Sequence, residues 1–210
     1  MLYTDSNKVI IILYKSFACG KFLSNILSYC DSCFPMTNPY IWHNNKEKFP
    51  ITTLPEDPSQ WSHYEPYAEN FWGFDINSPF NKNIPLSNIL EKTKKILEDN
   101  NLFCFITSHY VTPVIEFKKI FKNAQIIQII NDDLIREKSL NIKLPGKNIS
   151  MNPDWKILDQ TIKFDISTLL NKEEFFNNVS ILIKNLNINQ PLNSSVMDYY
   201  NNYIQYYKSK

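Results

Sequence analysis

Glycine is scarce, with only 3 in 210 residues. A loop motif that needs several glycines close together is therefore excluded. Long apolar runs are missing too. The longest, Val9 to Leu13, is strand-sized and far short of the ~20 residues of a membrane span. Nor does one charge dominate: 22 Lys plus Arg against 21 Asp plus Glu leave a net charge of +1. A broad polybasic surface is thereby excluded, and no nucleic-acid partner is expected, although a local basic pocket is compatible with such a balance. The N-terminus, Met-Leu-Tyr-Thr-Asp-Ser-Asn-Lys, has no charged segment ahead of a long apolar one, so a cytoplasmic protein without a secretory signal is expected. The three Asn-x-Ser matches, at Asn148, Asn178 and Asn193, are then chance matches in an Asn-rich chain.

Metal-ligating residues are few. Cys30-Asp-Ser-Cys33 is a lone C-x-x-C, and the three histidines include no closely spaced pair, so a second pair of zinc ligands is lacking. A redox pair wants its first Cys at a helix N-terminus, where the dipole lowers the thiol pKa. Here the pair falls where the first helix should end, and no metal is expected.

What is present is a folding composition, 43% hydrophobic and 14% aromatic. Lys8–Tyr14 is apolar on both faces, as a buried parallel strand should be. A tight loop follows, and then Phe22, Leu23, Ile26, Leu27 and Cys30 at helical spacing. Residues 31–85 keep no period. They hold most of the prolines and Trp42, Trp61, Trp72, His43 and His63, and read as long loops with short helical pieces. Regularity returns with a helix after Ser87, a buried strand at 102–108 and a helix beginning near Pro113. Next come a strand at 125–130, a short helix through Ser139, a strand at 161–166 and two closing helices near 172–186 and 195–208. The alternation predicts a single α/β domain spanning 1–210, with a mainly parallel central sheet flanked by helices. The aromatic-rich loop segment 31–85 is an insertion into it.

Ligand sites of such sheets lie at the carboxyl ends of the strands. After the first strand, Gly20-Lys21 ends a partial P-loop pattern, G-x-x-x-x-G-K-[ST]. Lys15 stands in place of the first Gly, and Phe22 in place of the hydroxyl that ligates Mg²⁺ in nucleotide enzymes. What remains is an anion cradle without its metal clamp, or an ordinary βα turn. After the second strand, His109 is either a general base or a structural histidine. After the third, Asn131-Asp132-Asp133 either caps the next helix or, as in nucleotide hydrolases, supplies a metal-binding Asp. Arg136 and Ser139 are three apart, so they share a helix face and can grip a phosphate together.

In order and spacing these pieces resemble the sulfotransferase family, which transfers sulfuryl groups from 3′-phosphoadenosine 5′-phosphosulfate (PAPS). Lys15-Ser-Phe-Ala-Cys-Gly-Lys21-Phe-Leu is similar to the family's donor-binding loop. Phe105-Ile-Thr-Ser-His109 resembles the strand that ends in a catalytic His. Phe121-Lys-Asn-Ala-Gln-Ile-Ile-Gln-Ile-Ile130 resembles the strand that ends in a 3′-phosphate-binding Arg, with a Ser eight residues later. Here Asn131 takes the Arg position and Ser139 lies eight on. Phe164–Leu170, Glu174-Phe-Phe and the run Val179–Ile188 are similar to the family's late strand and helix, so the likeness covers 8–30 and about 102–190.

The resemblance implies a P-loop-like sulfotransferase fold and an enzyme that uses PAPS, without a metal, on a small-molecule or carbohydrate hydroxyl. It implies a donor site of Ser16, Phe17, Ala18, Cys19, Gly20, Lys21 and Phe22 for the phosphosulfate, with Asn131, Arg136 and Ser139 for the 3′-phosphate. His109 is the implied base, and Lys15 or Lys21 the catalytic lysine. The 31–85 segment would form the acceptor site, with Trp42, Trp61, Trp72, Tyr64 and Tyr67 available for stacking or for core packing. Two rivals stand beside it: a P-loop nucleotide kinase or NTPase using Lys21 and Asp132 or Asp133, and a non-catalytic binding protein of the same fold.

Overall fold

The computed structural model describes residues 6–16, 18–33, 74–75, 94, 102–143, 146 and 155–209. Among them, five strands form one all-parallel sheet: β1 (Val9–Leu13), β2 (Phe74–Asp75), β3 (Cys104–Ser108), β4 (Gln125–Ile130) and β5 (Ile162–Asp165). Their order is β2-β3-β1-β4-β5, which puts the first strand in the middle. Five helices accompany them: α1 (Gly20–Leu27), α2 (Val111–Ile120), α3 (Asp133–Lys143), α4 (Lys172–Asn185) and α5 (Val196–Ser209). The α/β class and the parallel sheet read from the sequence are those observed.

The central position explains why β1 is apolar throughout. Both of its faces are covered, so alternation would leave polar groups inside. Ile10 and Ile12 join Phe105, Ile127 and Ile129 on one face, against α1, α4 and α5. Val9, Ile11 and Leu13 join Ile106 and Ile126 on the other, against Val114, Phe117 and Phe121.

The first face is sealed by aromatic rings. Phe22 of α1 stacks on Tyr203 at 4.1 Å and on Tyr199 at 5.4 Å between ring centroids. Tyr199, Tyr203 and Tyr207 stand four apart on α5, so they form one stripe of that helix. Helix α4 is anchored by its own cap, the Asn171 side chain accepting from the Glu174 N–H, with Glu173 and Glu174 in the first turn complementing the dipole.

Two details differ from the sequence reading. Within 31–85, Phe74–Asp75 forms a strand beside β3, a stretch too short to give a periodic signal. Helix α3 runs on past Ser139 to Lys143. Of the helix expected after Ser87, only Lys94 is described, and it is helical. No helix among the described residues is long and apolar enough to cross a membrane.

Candidate functional site at the carboxyl rim of the sheet

The register fixes which residues meet at the rim. Leu13 pairs with Ser108 and with Gln128, so the loop after β1, His109 and Asn131 all emerge at one end of the sheet. Strand β1 lies between β3, whose chain returns across it through α2, and β4. That reversal makes this rim the topological switch point, where an open parallel sheet takes its ligands.

The loop after β1 is tied down from several sides. The Tyr14 N–H donates to the Ser108 carbonyl at 3.0 Å, and the Ala18 N–H to the Lys15 carbonyl at 3.0 Å. Cys19 then adopts the left-handed conformation, with φ 58°, and caps α1 without a side-chain hydrogen bond. The N–H groups opening α1 have no partner within the helix, as at any helix start, and they face this loop. Gly20 is required by packing: a β-carbon there would lie 2.2 Å from the Tyr14 ring. Phe17 lies outside the described residues, as does the side chain of Lys21. Phe22 is wholly buried in the aromatic layer, so its side chain belongs to the core and not to the rim.

His109 is held against this loop. Its Nδ1 lies 3.2 Å from the Tyr14 carbonyl oxygen, and the two rings approach to 4.3 Å between centroids. A carbonyl only accepts, so Nδ1 is the donor in this contact, and in the neutral ring the lone pair then lies on Nε2.

The cations of the rim converge on two adjacent carboxylates, the buried Asp132 and the exposed Asp133. Lys15 Nζ donates to Asp132 Oδ1 at 2.7 Å and is 3.5 Å from Asp133. Arg136 Nε donates to the Ser16 carbonyl at 3.0 Å and lies 3.7 Å from Asp132 Oδ2. Asp132 is 1% exposed, and its Oδ2 makes no hydrogen bond among the described residues. Lys15 also lies 5.9 Å above the Trp155 ring, within reach of a cation–π attraction.

The expected 3′-phosphate residues are less well disposed. Asn131, left-handed with φ 54°, donates its side-chain amide to Asp165 Oδ2 at 2.7 Å. Burial pulls the Asp165 carboxyl upward, but the Ser167 hydroxyl, the Asn131 amide and the Ser167 N–H together hold it below the usual carboxylate range. Ser139 is buried, its hydroxyl 2.8 Å from that of Tyr207, which donates to the Ile135 carbonyl. Cys19 joins this buried network, its Sγ 3.3 Å from the Tyr203 hydroxyl and 3.8 Å from Ser139 Oγ. Arg136 and Ser139 therefore share no exposed phosphate grip. One braces the loop, and the other bonds to α5.

Sequence reasoning missed Tyr14, Asp165, Tyr203 and Tyr207 as supports of the rim. The four-residue spacing of the tyrosines was the available signal for the last two. Trp42, Trp61, Trp72, Tyr64, Tyr67, His43 and His63 lie outside the described residues, so the acceptor segment is not part of this geometry. An open groove of about 550 Å³ between Leu170 and Lys208 includes none of the predicted site residues. Cys30 and Cys33 are buried and form no disulfide, beyond the end of α1. No family model, curated protein or solved structure matches this chain.

Proposed function

We propose that this protein is a sulfotransferase that moves a sulfuryl group from PAPS to a hydroxyl of a small-molecule or carbohydrate acceptor. The observation that carries the reading is the meeting of the α1 N-terminus, Lys15 and His109, its Nδ1 held by the Tyr14 carbonyl, at one rim of the sheet. In the transfer, the acceptor oxygen forms a bond to sulfur while the bond from sulfur to the 5′-phosphate oxygen breaks. His109 Nε2 takes the acceptor proton. The loop N–H groups, with Lys15 or Lys21, stabilise charge on the sulfuryl oxygens and on the departing phosphate. The 5′ end of the donor suits this loop.

Calorimetry with adenosine 3′,5′-bisphosphate tests the reading. Binding without Mg²⁺, and weaker binding of ATP, is the expected result. One observation favours a second reading, a P-loop kinase or NTPase: the buried Asp132 carboxylate beside the loop is a candidate Mg²⁺ ligand. Mg²⁺-dependent ATP binding with no response to the bisphosphate would select it.

A further inference from the structure

Asp132 is nearly inaccessible, yet only one of its two oxygens is hydrogen-bonded among the described residues. A buried carboxylate ordinarily has partners at both. Its surroundings explain the asymmetry. Oδ1 is taken by Lys15, while Oδ2 faces Arg136 Nε at 3.7 Å, too far for a hydrogen bond. That N–H is spent on the Ser16 carbonyl. Two cations thus flank one inward anion: the Lys15 and Arg136 side chains are each 18% exposed against 2% for Asp132, with the exposed Asp133 beside them. An anion arriving from solvent meets these cations with the Asp132 carboxylate beneath them.

We propose that Asp132 is the resident counter-ion of a phosphate- or sulfate-binding site made by Lys15, Arg136 and the loop after β1, yielding Lys15 to an incoming anion and closing on Arg136. The inference rests on the reading of this rim as the donor site and names what the donor must displace. Oδ2 is the reserve acceptor in that exchange. When Lys15 turns outward, the carboxylate keeps a cationic partner by shortening a contact that already exists. The exchange costs less than stranding a buried charge, and it keeps the site neutralised when no ligand is bound.

Removing the resident charge strengthens the binding free energy in proportion to the charge on the ligand, because the energy change is ligand charge times the change in potential. A neighbouring charge within this range alters a partner's equilibrium by about tenfold or more. Methyl phosphate and methyl sulfate have nearly the same shape and differ by one charge near pH 8, well above the second phosphate pKa of about 6. They are titrated calorimetrically into the full chain and into Asp132→Asn, at low ionic strength and with a metal chelator present.

The variant should bind methyl sulfate about tenfold more tightly than the wild type, and methyl phosphate about a hundredfold, the square of that factor. Equal or weaker binding by the variant overturns the proposal, as does an equal gain for both ligands or no binding by either protein. If Asp132→Asn does not fold, wild-type protein labelled with ¹³C at aspartate carboxyls replaces it. The Asp132 resonance should then move on addition of methyl phosphate, and a resonance that stays put overturns the proposal. Adenosine 3′,5′-bisphosphate in the same titration separates the two readings. If it fails to bind while the methyl esters behave as expected, the sulfotransferase assignment falls and the counter-ion role stands. If it binds without tightening in the variant, the reverse holds.

Discussion

The ring of Tyr14 occupies the space in which a β-carbon on Gly20 would sit, 2.2 Å from Cγ and Cδ1. The same ring lies 4.3 Å from the His109 imidazole, and the Tyr14 carbonyl holds His109 Nδ1. A glycine at the start of α1 therefore sets the position of the histidine through one intervening side chain. Gly20→Ala should push Tyr14 off its site. Overpacking of this kind costs about 1–3 kcal/mol, and here it should reduce transfer as well. Thermal melts together with turnover assays check both effects.

His109→Ala should abolish most transfer and leave donor binding nearly unchanged, since the base meets the acceptor and not the nucleotide. A general base contributes about 10²–10⁴-fold in rate. Turnover against a panel of hydroxylated sugars and phenols, with calorimetry of the bisphosphate beside it, gives the split. Full activity in the variant would make His109 a structural residue.

Phe22→Ala should be severely destabilising. The side chain is fully buried and stacked on Tyr203, with Tyr199 and Tyr200 beside it. Truncating a core phenylalanine costs about 3–5 kcal/mol. Chemical denaturation should show this as a lower midpoint with an unchanged slope.

Asp165 gives the fold an acid sensitivity of known sign. Its carboxyl is held below the ordinary value in the folded chain, so its contribution to stability is fully present above the unfolded carboxylate pKa, about 3.9. That contribution is lost as pH falls toward the lower folded value. Asp165→Asn should therefore be less stable than wild type at neutral pH, and the gap should narrow in acid below pH ~4. Melting temperatures across pH, measured for both proteins, show whether the gap closes in that direction.

The strands were legible because burial on both faces leaves a direct trace in composition: Val9–Leu13 and Gln125–Ile130 have few polar groups to hide. The placement of Gly20, His109 and Asn131 on one rim followed from strand direction alone. Their side-chain partners did not follow, because these depend on which strands are neighbours. Asn131 reaches Asp165 only because β5 lies beside β4. Lys15 finds Asp132 across 117 positions of sequence. Ser139 looked like a rim residue from its spacing to Arg136, but α5 covers it, and nothing local in α3 announces that cover.

The sheet is assembled out of chain order, and this bears on how the protein is made. Val9 has to wait for Cys104, and Ile10 for Gln125, before the strand at the centre has either neighbour. During synthesis the run Val-Ile-Ile-Ile-Leu leaves the ribosome as a bare β-branched segment, and remains so until the chain has been made as far as Cys104. Pairings this distant in sequence form slowly, since the intervening loop must close before any contact rewards it. A chain in that condition is exposed to aggregation, and holding by a chaperone until β3 and β4 arrive is the natural remedy. Yield on expression should then respond more to growth temperature and chaperone supply than the buried core of the finished fold would suggest.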